Sequence, residues 1–369
     1  MNQLFRWDQM GLFLLALAAG ILPFAVPEVC AAALREGLTL CSGPLLLSLF
    51  PFLVVSRLLI QCPESDLLAL PFRLAAWGIG IRTPCAARVL CIGFLGGFAP
   101  AASAAAQAVR TGKLTAEEAD ALLPACICSG PSFVVLTVGQ SLLGSAELGV
   151  LLFASQITAN YLTAALLNRF AGVRSVKLGS AAPASPAPPR LDEILADAAI
   201  TYCKLCGFIL FFRMLAAGAG ALLPAGAGTL CSILLEVCSG CDLASRTGRW
   251  GSLLCCAALS VQGLSVLLQV RTICPPEMTL RPLYRARMLH LPLSLALFYL
   301  LLPGGEADVF STLPARILLM RRVPPDCALL VFAVCCMAAC TLRSGIRQVE
   351  QKQMARNAGG CCINSKTLL

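Results

Sequence analysis

The apolar positions of this chain fall in long blocks rather than in narrow stripes. Predominantly apolar runs occupy residues 11–29, 38–61, 91–109, 122–138, 148–170, 230–245, 249–270, 285–302 and 325–342, and a further long one opens at Leu191. Blocks of roughly 18 or more such residues match the length a helix needs to cross a bilayer. The stretch 91–138 differs from the rest. Its apolar halves are interrupted by Gly93, Gly96, Gly97 and Pro100, and then by Gly130 and Pro131, with a charged strip at 110–120 between them. Open backbone at membrane depth is tolerated only where it is buried in protein or lines a cavity. Broken apolar segments at matching places in two halves point to a transporter-type site.

The chain divides into a first membrane half (1–172), a Pro/Ala/Ser linker (173–190) that reads as extended, a second membrane half (191–342) and a basic tail (343–369). Ala31–Ala33 resembles a peptidase site, but further spans follow at once, so the first helix is expected to be retained. It is expected to kink or end at Pro23 and Pro27, and the second span to break at Gly43-Pro44 and Pro51. Residues up to Arg88 after the polar strip at 62–73 read as lying along the interface. Asp192, Glu193 and Asp197 suit the first turns of a helix.

Two fragments recur across the linker in the same order. FLVVSRLLI at 52–60 matches FILFFRMLA at 208–216, and GPSFVV at 130–135 matches GLSVLL at 263–268. Ordered recurrence marks an internal repeat. Lys and Arg collect in cytoplasmic loops, which places the linker and both termini inside the cell. The five apolar elements of the second half then require one to be re-entrant. Taking 91–109 and 230–245 as the re-entrant pair sets the repeated fragments antiparallel. The expectation is an all-α polytopic membrane protein with an inverted-topology repeat, about eight crossings and two broken, re-entrant elements.

Composition narrows the function. Charged residues make up 13% of the 369 and mean hydropathy is +0.82, against about 25% charged in soluble domains. The net charge of +9 is carried by basic residues set singly between apolar runs. They read as topology determinants, with a lipid bilayer and not nucleic acid as the partner. Of the 21 cysteines, many lie inside apolar runs and read as small packing residues. The pairs Cys203/Cys206 and Cys238/Cys241 lack the further ligands of a zinc set. With one histidine, no nucleophile–base pair and no phosphate loop at Thr111, the chain reads as a non-enzyme without cofactor or metal.

Polar residues inside apolar runs are the candidate substrate contacts. At the first break these are Gly96 and Gly97, followed by Ser103 and Gln107 four residues apart. At the second they are Ser129, Gly130 and Ser132. Gln262, Gly263 and Ser265 occupy the matching segment of the second half, where Gln262 and Gln269, seven apart, share a helix face. On the second re-entrant element Glu236 is the carboxylate suited to coupling a proton or cation, with Ser239 beside it. Asp242 reads as a solvated loop residue. Arg57 and Arg213 are the matched cations. Each polar group also has a local reading. Serines satisfy freed backbone, glutamines join helices and Arg57 snorkels.

PLLLSLFPFLVVSRLLI, GFLGGFAPAASAAAQAVRTGKLTAEEADALL, CICSGPSFVVLTVG, LLEVCSGCDLAS and SVQGLSVLLQV resemble, in that order, the sporulation integral membrane proteins of the YlbJ family. That family lies within the wider group carrying nucleoside-recognition (Gate) domains. The resemblance covers about residues 30–300. It implies a multi-pass protein of the bacterial inner membrane, needed for spore cortex or envelope maturation, with an unknown small-molecule or ion substrate. The chain departs from the family pattern at Gly96-Gly97-Phe98-Ala99, where S-G-Y-P is favoured, with Pro100 displaced by one. It departs again at Ile127 and Cys128, where an Asn pair is frequent, and at Gln262 in place of a glycine. These departures motivate the alternative of a non-transporting scaffold that recruits other sporulation membrane proteins.

Overall fold

The computed structural model describes residues 2–61, 69–171 and 190–302. The linker up to Pro189, the expected span at 325–342 and the basic tail lie outside the described residues. Every regular element among them is helical.

Two neighbouring helices, α1 (Asn2–Ala25) and α2 (Pro27–Ser42), meet at Val26 because Pro27 has no N–H to continue the ladder and sits well at a helix start. The helix therefore begins at residue 27 and not at 38, a correction to the expected second span. Glu28, Arg35 and Glu36 disguise its first turns as a loop. Gly43 separates α2 from α3 (Pro44–Gln61), whereas Pro23 and Pro51 lie within α1 and α3. A short helix, α4 (Leu70–Gly78), exposes Leu70, Leu74 and Trp77. It leads to the half-helices α5 (Pro84–Gly96) and α6 (Phe98–Arg110), joined at Gly97. A capping box of Thr115 and Glu118 opens α7 (Ala116–Cys126). After the unwound residues 127–130 comes α8 (Ser132–Leu142), which has the wide turn of a π-helix, and then α9 (Ala146–Ala171).

In the second half α10 (Leu191–Leu222) is a single long helix. Then come α11 (Ala225–Leu235) and α12 (Val237–Ser245), joined at Glu236, and α13 (Gly251–Val261) and α14 (Gly263–Ile273), joined at Gln262. The closing helix is α15 (Arg281–Leu301). The sequence pattern reads 249–270 as one span; the structure breaks it. Gln262 and Gly263 both take left-handed backbone, φ 66° and 69°, and Gln262 Nε2 donates to Leu259 O at 2.7 Å, a carbonyl that a continuous helix would satisfy through its own backbone. Gln262 therefore ends α13, while Gln269 lies in α14.

Among the described residues four stretches are long and apolar enough to cross a membrane: Pro27–Ile60, Ala146–Ala171, Leu191–Leu222 and Gly248–Ile273. In an 18-residue apolar window of each, 61% of the last is buried within the protein, 39% of the second and third and only 19% of the first, so the broken pair α13–α14 is the innermost of the four. The chain is thus a helical protein of membrane type. Along α2–α3 the partners on α10 run backwards. Glu36 meets Arg213, Cys41 meets Tyr202, and Arg57 meets Asp197. The two long elements are antiparallel neighbours, each carrying one of the FxxxxR-like fragments near its carboxyl end.

Candidate functional site

The four breaks meet in pairs, and the reason is visible at the glycines. Gly97 has φ 81° and ψ −163°, a region essentially restricted to glycine. A Cβ there would lie 2.6 Å from Gly130 N and 2.9 Å from Gly130 Cα, so the first break rests directly on the second. A Cβ on Gly263 would lie 3.0 Å from Glu236 N and from Leu235 C, so the third and fourth breaks touch in the same way. Gln262 Nε2 then reaches across to Ser129 Oγ at 3.4 Å and links the two pairs.

Where the pairs meet there is a cavity of about 50 Å³, taken as the space open to the centre of a water-sized molecule. A water occupies roughly 10–15 Å³ on this measure, so the cavity admits a few waters or one polar group of a ligand. Its polar lining comes from Ser129, Gly130, Ser132, Glu236 and Gln269, with Gly96 at the first break. Its apolar walls come from Leu45 and Leu49 of α3, Phe98 and Phe133, and Ile209 and Val266. Ser132 is exposed, so the cavity reaches the surface.

Glu236 is 1% exposed. Its carboxylate accepts from Cys238 N (2.9 Å), Ser239 N (2.7 Å) and Ser239 Oγ (2.9 Å), which makes it the N-cap of α12. The amino ends of α6 and α8 also face the cavity, through Phe98 and Ser132. Helix amino ends carry partial positive charge. The only formally charged side chain in the lining is Glu236, so three helix starts surround one carboxylate. Gln269 Nε2 donates to Ser265 Oγ at 2.9 Å, while its buried Oε1 has no hydrogen-bond partner among the described residues. Gln269 is one of the lining residues, and this oxygen is itself buried.

Several sequence candidates sit elsewhere. Ser103 is buried on α6, whose small side chains are enclosed on all sides, and its hydroxyl has no partner; Gln107 lies further along the same helix. Neither lines the cavity, because the four-residue spacing that pairs them on one helix face does not turn that face toward the breaks. Arg213 is held by Glu36 at 2.8 Å, and Arg57 by Asp197 at 2.6 Å. Both cations are thereby engaged between α10 and α2–α3 and neither is a lining residue, although Arg213 is near enough to Glu236 and Cys238 to interact with them electrostatically. Ser239 acts through its bonds to Glu236, and Ser265 through Gln269. Gln262 and Gly263 shape the fourth break, and Gly97 the first. Asp242 pairs with Arg246 one turn on.

Sequence reasoning missed a second buried polar cluster behind the breaks. Arg287 on α15 is 7% exposed and donates to Ile127 O (2.8 Å), Asn160 Oδ1 (3.3 Å) and Ser260 O (3.4 Å). Gln156 bonds Ser260 Oγ (3.0 Å), Ser260 and Ser294 share a hydrogen bond, and His290 Nε2 meets Gln156 O (3.2 Å). A basic residue three positions before a lone histidine carries no motif, and its carbonyl partners are visible only in three dimensions. No family model, curated protein or solved structure matches the chain.

Proposed function

We propose that the protein is a transporter-like permease of the bacterial cell membrane, built as an inverted-topology repeat and serving endospore formation. The reading is supported by an order of elements that occurs twice: a long helix, two pairs of broken half-helices, and a closing long helix. It is supported also by the antiparallel contact of α2–α3 with α10. The observation that carries it is one cavity lined at three of the breaks and by α14, with the buried carboxylate of Glu236 and the side chain of Gln269 among its lining residues. Half-helix ends around a central cavity are the arrangement by which carriers of this architecture hold substrates and coupling ions. The cargo is a small polar molecule or ion, and the sporulation role rests on the resemblance of the five motifs.

Glu236→Gln and Asp242→Asn test the proposal in a spore former lacking the wild-type gene, with membrane levels of each variant matched. Heat-resistant spores should fall to the level of the deletion with Glu236→Gln and stay near wild type with Asp242→Asn. Full spore counts with Glu236→Gln at matched levels would remove the cavity from the function.

A further inference from the structure

A break in a buried helix leaves carbonyls that no backbone N–H reaches, and each must find a donor. The accounts of the two inner breaks close on one residue. At the end of α13, Ala258 O accepts from Gln262 N (3.0 Å), Leu259 O from Gln262 Nε2 (2.7 Å) and Ser260 O from Arg287 Nη1 (3.4 Å). At the end of α7, Leu123 O accepts from Ile127 N (2.9 Å), while Ile127 O accepts from Arg287 Nη2 (2.8 Å) and Asn160 Nδ2 (3.4 Å). Ile127 belongs to the first half of the chain, Ser260 to the second.

Among the described residues Arg287 has no carboxylate partner. Its positive charge instead faces the carboxyl ends of α7 and α13, where helix dipoles place partial negative charge. A planar guanidinium presents N–H groups from separate nitrogens in a fixed fork, whereas the three N–H groups of an ammonium diverge from one nitrogen. These observations point to one role. We propose that Arg287 is a positioning residue that holds the second and fourth breaks in register, so that Ser129 and Gln269 face the same cavity. The amino ends of α8 and α14 are set from the cavity side and the carboxyl ends of α7 and α13 from the Arg287 side. The bridge is read without any transport measurement, so its failure and the failure of the permease reading are distinguishable.

The experiment is peptide-resolved hydrogen–deuterium exchange on the full chain in lipid nanodiscs, comparing wild type, Arg287→Gln and Arg287→Lys. Arg287→Gln should speed exchange in both 127–131 and 262–266 by on the order of ten-fold or more, the scale set by a hydrogen bond to a charged donor. These segments lie more than a hundred residues apart, and because α15 packs against both α7 and α13, Arg287→Lys is the variant that separates loss of the fork from general damage to α15. Arg287→Lys should restore protection to one segment and not the other. Loosening of a single segment or of neither by Arg287→Gln, or recovery of both by Arg287→Lys, overturns the bridge. Should neither variant fold, the wild-type chain decides: the two segments must open at a common rate, and independent opening overturns the proposal.

Discussion

Alanine at Gly97 is the most direct probe of how the breaks are packed. The added Cβ would stand 2.6 Å from Gly130 N, 2.9 Å from Gly130 Cα and 3.2 Å from Cys128 O. All three are backbone atoms, so no rotamer change relieves the contact. Two costs combine. The conformation at φ 81°, ψ −163° carries about 1–3 kcal/mol of strain for a residue with a side chain. Forcing packed backbone apart adds about 1–3 kcal/mol, so the substitution should cost about 2–6 kcal/mol. Gly112 supplies the control within the same chain. Its φ is 66°, and a Cβ there meets nothing within 4 Å, so Gly112→Ala isolates the left-handed backbone cost of about 1–2 kcal/mol. The difference between the two variants measures the close approach together with the extra backbone cost of the Gly97 conformation. Reversible unfolding of purified protein in mixed micelles gives both values, with Gly263→Ala as the matching probe of the other pair. Equal losses for Gly97→Ala and Gly112→Ala would refute the packing of the first break on the second.

Other substitutions have expected outcomes in the same unfolding assay. Asp120 accepts from Thr279 N (2.8 Å), Thr279 Oγ1 (2.7 Å) and Leu280 N (3.1 Å) at the start of α15. Asp120→Ala should therefore cost about 2–3 kcal/mol, in the range of charge-assisted bonds lost at a buried site. Tyr202→Phe removes a buried hydroxyl that donates to Cys41 O between α10 and α2, and should cost about 1 kcal/mol. Asp197→Asn and Glu36→Gln should each cost less than about 1 kcal/mol, because these carboxylates are 63% and 61% exposed and exposed ion pairs are screened. A larger loss at either position would mean that the antiparallel contact of α10 with α2–α3 depends on its charges.

The sequence carried the breaks wherever glycine and proline write them. Gly96-Gly97 and Gly130-Pro131 announce unwound backbone by composition alone, and a carboxylate at Glu236 in an apolar run marks the third. The fourth break was hidden. Gln262 has no proline beside it, and a single following glycine does not distinguish an interrupted span from a continuous one. The start of α2 was hidden for the opposite reason. Glu36 looks like loop chemistry until its partner Arg213, 177 positions away, is in view. Ser103 and Gln107 show the limit of helical spacing as a guide. It says which residues share a face but not what that face touches, and α6 is enclosed almost all round by other helices.

That enclosure follows from length. A 13-residue half-helix such as α6 rises only about 20 Å, whereas the hydrocarbon of a bilayer is about 30 Å thick. It cannot cross alone, and an end left in lipid would expose unpaired backbone. Such an element must be surrounded by protein, and in lipid that packing depends on small residues that let backbones approach. The buried face of α6 fits this demand, since Ala99, Ala101, Ala102, Ala104, Ala105, Ala106 and Ala108 are wholly buried. The long helices carry the opposite pattern, with exposed Leu162, Leu166 and Phe170 on α9 and Leu191, Leu195 and Leu222 on α10. Length thus sorts the elements: the half-helices α5, α6 and α7 are mostly buried, α8 and α11 turn one side outward, and the whole helices show long exposed faces. The ends of the halves have nowhere to go except toward one another, which is why the cavity forms at their meeting point.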